Sequence, residues 1–262
     1  MNPIGIYDNL NRERIRKLLT FGLFASFLTG IGDFLLGYAA EEPAVNLAAS
    51  IMASAANLSD GQLIAGSLLG MVGVFLEGLS YFAVYRMMAD AAPKYAHVFR
   101  TGIFGYIWLA PIGCHLNMGL LNMAYKYLLQ ADPALAAEAA KPLIYGFSIP
   151  VYILLVLFWV PMIVIQFKAF DKGYTPYPRS AKWFCLIVGM LPALLLSALI
   201  GPGTALGAAI GTMFLSFGYA FIFGGLLVTL PSEERFNEFR KRIMTKKEDG
   251  IESCSGATGK QR

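Results

Sequence analysis

The stretch LIYGFSIPVYILLVLFWVPMIVIQF, at residues 143–167, contains no Asp, Glu, Lys or Arg. A bilayer core about 30 Å thick is crossed by about 20 mostly apolar residues that rise 1.5 Å each, so this stretch predicts a transmembrane helix. The whole chain of 262 residues agrees, because 56% of them are hydrophobic and 15% are charged. Soluble domains carry about 25% charged residues. This composition excludes a disordered chain and disfavours an ordinary soluble globule.

Five further apolar stretches predict an all-α, polytopic integral membrane protein with a bundle of six transmembrane helices in one domain, residues 1–231. The first stretch contains Asp33 and is longer than a signal-peptide core, which favours a span over the alternative of a cleaved leader. The Gly-Pro-Gly run at residues 201–203 separates the last two spans, because these residues break helices. The predicted spans cover residues 18–39, 63–85, 101–124, 143–167, 183–200 and 204–230.

The basic residues are distributed unevenly between the two sides that six spans define. Of 21 Lys and Arg residues, 19 fall on the side of both termini, and only Lys126 and Lys141 fall on the other. The positive-inside rule therefore predicts that both termini are cytoplasmic, and we expect the bacterial cytoplasmic membrane. An odd number of spans would separate the two basic termini, so the charges support six spans independently of hydropathy.

The segments between and after the spans carry further predictions. Asp132 precedes a proline and an alanine-rich run, which predicts a short outer helix at residues 133–141. Residues 45–58 fit an interfacial helix and an ordered loop equally well. Residues 232–249 predict a cytoplasmic basic amphipathic helix. Its apolar face lies in the headgroup layer in one interpretation, and the helix is only a topology anchor in the other. Residues 250–262 predict a disordered tail.

Three ionisable residues lie inside the predicted spans: Asp33 in the first, Glu77 in the second and His115 in the third. A charged side chain at a helix centre costs about 2.5–3.5 kcal/mol, so such residues face the bundle interior and have partners. The helical rise places Asp33 and His115 about 22 and 21 Å from the inner boundary, at one level of the bundle where a direct pair is possible, and the sequence leaves open whether they form it. Glu77 lies about 12 Å from that boundary and needs a long partner, a water or a ligand.

Polar neighbours extend this group along the third span. Trp108, His115 and Asn122 follow one another at intervals of seven, which predicts one stripe on a helix. Pro111 lies four residues before His115 and is expected to loosen the backbone there. The group is either a ligand- or proton-binding pocket or a packing network that fixes helix register. The candidate residues are Asp33, Glu77, His115, Asn117, Asn122 and Tyr81.

Glycines are spaced to let helices approach closely. Gly66, Gly70 and Gly73 share one face of the second span, so we expect spans one to three to pack tightly with polar groups inward. In the sixth span, Gly207 and Gly211 form a GxxxG pair. That motif predicts helix packing and a homo-oligomer through this helix.

Two runs, GDFLLG at residues 32–37 and EGLSYF at residues 77–82, resemble stretches of uncharacterised bacterial multi-spanning membrane proteins. The resemblance covers the first half of the chain and implies a membrane location but no activity. Metal-dependent intramembrane hydrolases use three histidines, whereas only His115 lies within a span here. The three cysteines form no CxxC pair, so neither a metal nor a cofactor is expected.

Three functions remain open. The best interpretation is a transporter-like protein that binds a small solute or protons at a polar intramembrane site on helices 1–3. The alternatives are a metal-independent membrane-embedded enzyme acting on a lipid-like substrate, and a structural or assembly protein. We expect membrane lipids and an unknown small molecule as partners. Nucleic acid is not expected, because the basic residues follow the topology rule and form no separate domain.

Overall fold

The computed structural model describes residues 9–40 and 46–257, with side chains as far as residue 245. Within these ranges the chain is all-helical and contains no strand. Two π-helical segments, Ala110–Leu116 and Pro142–Ser148, interrupt the longer helices. The α-helices are α1 (Arg12–Gly37), α2 (Leu47–Met52), α3 (Asp60–Ser80), α4 (Phe82–Ala89), α5 (Pro93–Leu109), α6 (Asn117–Ala131), α7 (Pro133–Lys141), α8 (Ile149–Asp171), α9 (Leu186–Ile200), α10 (Ala205–Thr212), α11 (Phe214–Val228) and α12 (Glu233–Ala257).

Several helices are long and apolar enough to cross a membrane. Four helical runs in the described residues meet this criterion by themselves. The pair α10 and α11, which are bent by 46° relative to each other, is a fifth candidate. The fifth predicted span corresponds to α9, which has only 15 residues and is shorter than the roughly 20 that a bilayer core requires. The chain therefore has four to five candidate spans by length and composition, where six were predicted. The four long runs are Arg12–Gly37, Asp60–Ala89, Pro93–Ala131 and Pro133–Asp171.

The predicted outer helix at residues 133–141 is confirmed as α7. Asp132 caps it, because its side chain accepts hydrogen bonds from the backbone nitrogens of Ala134 and Leu135. The helix does not stop before the fourth span as predicted. It continues through the π-helical segment Pro142–Ser148 into α8, because the interruption at the proline takes the form of a π-helical segment within the helix and does not end it.

The predicted stripe on the third span is wrong for Trp108. Pro111 lies in the π-helical segment, as the expected loosening of the backbone requires. A π turn takes more residues than an α turn, so an interval of seven across it does not return to the same face. Trp108 is 71% exposed, whereas His115 and Asn122 border a cavity between the helices.

The two ends of the bundle differ in charge. At one end, Arg12 at the start of α1 donates a hydrogen bond of 2.7 Å to the carbonyl oxygen of Pro231, just beyond α11. We call this the basic end. At the opposite end, which is called the outer end after the predicted topology, Lys126 pairs with Asp60 at 2.7 Å. The first and last helices of the bundle therefore have their termini side by side.

Residues 46–58, of the predicted 45–58, are mostly helical, while residue 45 lies outside the described residues. The helix α2 is followed by a 3₁₀ turn, Ala53–Asn57. Met52 is fully buried in a cluster that also contains Tyr125 of α6 and Ala136 of α7. The segment thus covers the outer end as a short helix and not as an irregular loop.

The apolar face of α12 packs on the protein. Phe236 is fully buried and Phe239 is 5% exposed, and both belong to the main hydrophobic core. The expectation that this face lies in the headgroup layer is therefore wrong, because an amphipathic pattern does not specify which apolar surface covers it. The helix also continues to Ala257, past the predicted start of the disordered tail, since single glycines cost a helix only about 1 kcal/mol. Residues 258–262 lie outside the described residues.

Candidate functional site

Close packing of α1 on α3 forms the floor of the candidate site. A Cβ atom on Gly32 would lie 2.5 Å from the backbone nitrogen of Gly70. A Cβ atom on Gly73 would lie 2.3 Å from Oγ1 of Thr29. The helix backbones can approach this closely only because glycine has no side chain. The glycine face predicted on the second span therefore faces the first span.

His115 lies over this glycine face and beside Asp33. A Cβ atom on Gly70 would be 2.2 Å from Nδ1 of the His115 ring. The same nitrogen is 3.8 Å from Oδ1 of Asp33. Both side chains are mostly buried, at 14% and 13% exposure for His115 and Asp33. The two residues expected at one level of the bundle are therefore neighbours.

The second half of the chain completes the surroundings of Asp33. Ser216 on α11 donates a hydrogen bond of 2.6 Å to Oδ2 of Asp33. Thr212 at the end of α10 donates to the main-chain oxygen of Asp33 at 3.1 Å. The sequence analysis placed the polar site on helices 1–3 alone, so both partners were missed. The signal that could have found them is the spacing of Ser216 and Tyr219, two hydroxyl groups on one face of an apolar helix.

Glu77 has a partner of its own, separate from Asp33 and His115. Its side chain is fully buried, and Tyr106 donates a hydrogen bond of 3.0 Å to Oε2. Its other oxygen, Oε1, has no partner among the described residues. The Tyr106 ring lies 5.9 Å from the ring of Tyr219, whose hydroxyl accepts a hydrogen bond of 3.0 Å from Trp159. Tyr106 is therefore the long partner that was predicted for Glu77 from its depth in the bundle.

Asp33 and His115, together with Tyr106, Trp159 and Tyr219, line a partly open cavity of about 850 Å³. Asn122 also borders it, and the side-chain oxygen Oδ1 of this residue is buried without a hydrogen-bond partner among the described residues. Most of the remaining lining is apolar, including Leu155, Met190 and Leu215. The cavity therefore combines apolar walls with a few hydrogen-bond acceptors, as ligand sites do. Its polar and aromatic lining comprises Asp33, His115, Asn122, Tyr106, Tyr152, Trp159 and Tyr219.

The model of a family described as a family of unknown function, DUF6796, matches residues 1–233. The chain belongs to this family. The match extends from the N-terminal segment to the start of α12, so it confirms the resemblance to an uncharacterised family and extends it beyond the first half. No curated protein and no solved structure matches the chain. The family description names no activity, so any function of this DUF6796 protein rests on its own geometry.

Three predicted site residues of the DUF6796 chain, Glu77, Tyr81 and Asn117, do not border the cavity. The Tyr81 hydroxyl is buried without a partner among the described residues, and its ring packs on aromatic neighbours such as Phe223, with centroids 5.2 Å apart. Asn117 donates to the hydroxyl of Ser148 at 3.5 Å. Tyr81 and Asn117 both face the protein interior, as predicted for the polar group, but neither reaches the Asp33–His115 pair.

The GxxxG pair packs within the chain. Ser197 on α9 donates a hydrogen bond of 2.7 Å to the carbonyl oxygen of Gly207, and a Cβ atom on Gly211 would lie 2.9 Å from the Ser197 hydroxyl oxygen. The glycines therefore allow α10 to approach α9, and the homo-oligomer stays a prediction. In the described part of the chain, no three His, Cys, Asp or Glu residues are grouped to hold a metal ion.

Proposed function

We propose that the chain is a six-span integral membrane protein that binds a small amphipathic amine in this cavity, as a transporter-like solute-binding protein does. The observation that carries the proposal is the lining of the cavity. It places the carboxyl group of Asp33 and the unpartnered oxygen of Asn122 around one largely apolar space. The volume of about 850 Å³ lies within the usual range of roughly 300–1,000 Å³ for ligand sites.

The contact between Arg12 and Pro231 supports an even number of crossings, because it joins the start of α1 to the end of α11 at one end of the bundle. Four long helices and the bent pair give five crossings, so α9 supplies the sixth. Its 15 residues extend about 22 Å, and flanking segments complete the distance. The excess of basic residues at this end places both termini in the cytoplasm.

The outer surface of the bundle supports contact with membrane lipids. Large apolar side chains point outward along several helices, including Phe27 at 62%, Leu157 at 63% and Leu199 at 84% exposure. Hydrocarbon is the environment in which such a surface costs no free energy. Together with the resemblance to bacterial membrane proteins, this supports the bacterial cytoplasmic membrane as the location.

An amine fits the polar side of the cavity better than an anion or a neutral hydrocarbon. Asp33 and Asn122 present acceptor oxygens, and an ammonium group has three donors and no acceptor. The ring faces of aromatic residues attract cations within about 6 Å, and Trp159 also borders the cavity. The apolar walls offer space for a short hydrocarbon chain.

Three probes with the same chain and different headgroups test this proposal: octylamine, octanol and octanoate at equal concentrations. The melting temperature of the full chain in detergent is the measurement. Octylamine is expected to stabilise the protein, and octanol and octanoate are not. The Asp33→Asn variant should lose the octylamine shift, whereas Glu138→Gln, which neutralises an exposed carboxyl group outside the cavity, should keep it. Equal shifts with all three probes, or an unchanged shift in Asp33→Asn, would overturn the proposal.

A further inference from the structure

A second pocket lies at the basic end of the bundle and shares no lining residue with the cavity described above. It has a volume of about 420 Å³ and lies between the loop that follows α8 and the first turns of α12. Its lining includes one carboxyl group and four cationic side chains. These charged residues are Lys172, Arg179, Arg235, Glu238 and Arg242.

The protein fold holds two of the arginines at the pocket. Arg235 donates from Nε to the carbonyl oxygen of Pro176 at 3.0 Å. Arg242 donates to the carbonyl oxygen of Gly173 at 2.9 Å, and its guanidinium lies 4.9 Å from the ring centre of Phe239. Neither arginine forms an ion pair with a carboxyl group in the described part of the chain. A guanidinium has five N–H donors, so each retains donors for a ligand.

A buried hydroxyl at the same pocket lacks a partner. Thr175 borders the pocket and is 2% exposed, and its Oγ1 has no hydrogen-bond partner among the described residues. A buried hydroxyl without a partner destabilises the protein, and a ligand oxygen that accepts its hydrogen bond removes this cost. The neighbouring hydroxyl of Tyr177 donates to the carbonyl oxygen of Leu226. Burial raises the pKa of Tyr177, so this residue adds no negative charge to the pocket.

We propose that this pocket binds the phosphate group of a small phosphate-bearing anion. Arg235 and Arg242 supply charged N–H donors, Thr175 supplies the buried hydroxyl, and Lys172 adds a further cation. Guanidinium groups match the geometry of phosphate oxygens and bind them with paired hydrogen bonds. The pocket lies at the end of the bundle where the basic residues gather, so the phosphate belongs either to the headgroup of a lipid or to a free phosphate compound.

Three probes separate these sources: dioctanoyl phosphatidic acid, dioctanoylglycerol, which lacks the phosphate, and inorganic phosphate. The full chain in neutral detergent is titrated with each, and the melting temperature is followed. Stabilisation by phosphatidic acid alone assigns a lipid headgroup, and stabilisation by inorganic phosphate as well assigns a free phosphate group. No stabilisation by either phosphate compound, or an equal effect of dioctanoylglycerol, would overturn the proposal.

Variants locate the binding. Arg242→Gln is expected to weaken the binding of the effective probe by about tenfold or more, and Thr175→Val by about threefold to tenfold. Lys172→Gln tests the contribution of this charge without disturbing the fold, because the Lys172 ammonium group makes no hydrogen bond in the described residues. Lys241→Gln removes the same charge from the same helix outside the pocket and should bind as the unmodified chain does. Equal weakening by Lys241→Gln and Arg242→Gln would overturn the assignment.

Discussion

Ser216 on α11 donates a hydrogen bond of 2.6 Å to Oδ2 of Asp33 on α1. The other oxygen of Asp33 lies 3.8 Å from Nδ1 of His115. The carboxyl group is therefore held between the last helix of the bundle and the third predicted span. This arrangement fixes the acceptor that the proposed ligand would contact.

Ser216→Ala removes this hydrogen bond and leaves one oxygen of Asp33 without its partner. We expect the free energy of unfolding to fall by about 1–3 kcal/mol, because an unsatisfied buried acceptor carries its desolvation cost. Octylamine should also bind more weakly. The control is Ser80→Ala, because the buried Ser80 hydroxyl bonds only to its own helix at Leu76 and its loss should change stability little. Equal destabilisation by both variants would contradict a special role for Ser216.

Gly70→Ala tests the contact between α3 and the His115 ring. The new methyl group would lie 2.2 Å from Nδ1, so the ring must shift from its position beside Asp33. We expect a loss of about 1–3 kcal/mol in the free energy of unfolding, typical of overpacking, together with loss of octylamine binding. Gly146→Ala is the matched change at a site with no neighbour within 4 Å. Calorimetric melting of both variants checks the prediction, and octylamine binding retained by Gly70→Ala would contradict it.

The pairing of Tyr106 with Glu77 predicts a coupling between the two residues. Tyr106→Phe removes the hydrogen bond that the Tyr106 hydroxyl donates to Oε2 of the fully buried Glu77, so we expect a loss of about 1–3 kcal/mol. A double-mutant cycle with Glu77→Gln should give a coupling free energy of about 1 kcal/mol or more. The same tyrosine-to-phenylalanine change at Tyr81, whose hydroxyl has no partner, should be neutral or stabilising. A coupling near zero would show that this hydrogen bond does not contribute.

The position of α12 on the protein predicts how its aromatic residues affect stability. Phe236 is fully buried, whereas Met244 on the same helix is 50% exposed. Phe236→Ala should lower the free energy of unfolding by about 3–5 kcal/mol, because it opens a cavity in the core. Met244→Ala should change it little. If α12 lay in the headgroup layer instead, Phe236→Ala would weaken association with vesicles and leave the bundle stable.

The sequence predicted the helical class, the buried polar residues and the level shared by Asp33 and His115. These follow from hydropathy, from the cost of a charge in a membrane and from helical rise, which are local properties. Helix ends were less predictable, because α7 continues through a π-helical segment that no apolar pattern indicates. The exposed position of Trp108 has the same cause.

The partners of the site residues depended on how distant helices pack. The spacing of Ser216 and Tyr219 marks a polar face on α11 but does not indicate that this face contacts α1, and the hydroxyl group of Tyr106 was one of many in the spans. The apolar face of α12 was visible in the sequence, but its partner surface was not. The polar residues were therefore predictable one by one, while the cavity they share required the tertiary arrangement.

The fluorescence of Trp159 tests ligand binding in the cavity most directly. This residue borders the cavity, whereas Trp108 and Trp183 are 71% and 58% exposed. A chain with Trp108→Phe and Trp183→Phe retains Trp159 as its one tryptophan and is titrated with octylamine that carries bromine at the end of its chain, a quencher of tryptophan. The account predicts saturable quenching that Asp33→Asn abolishes and Glu138→Gln preserves. Quenching that rises without saturation, or is unchanged by Asp33→Asn, would contradict an amine site in this cavity.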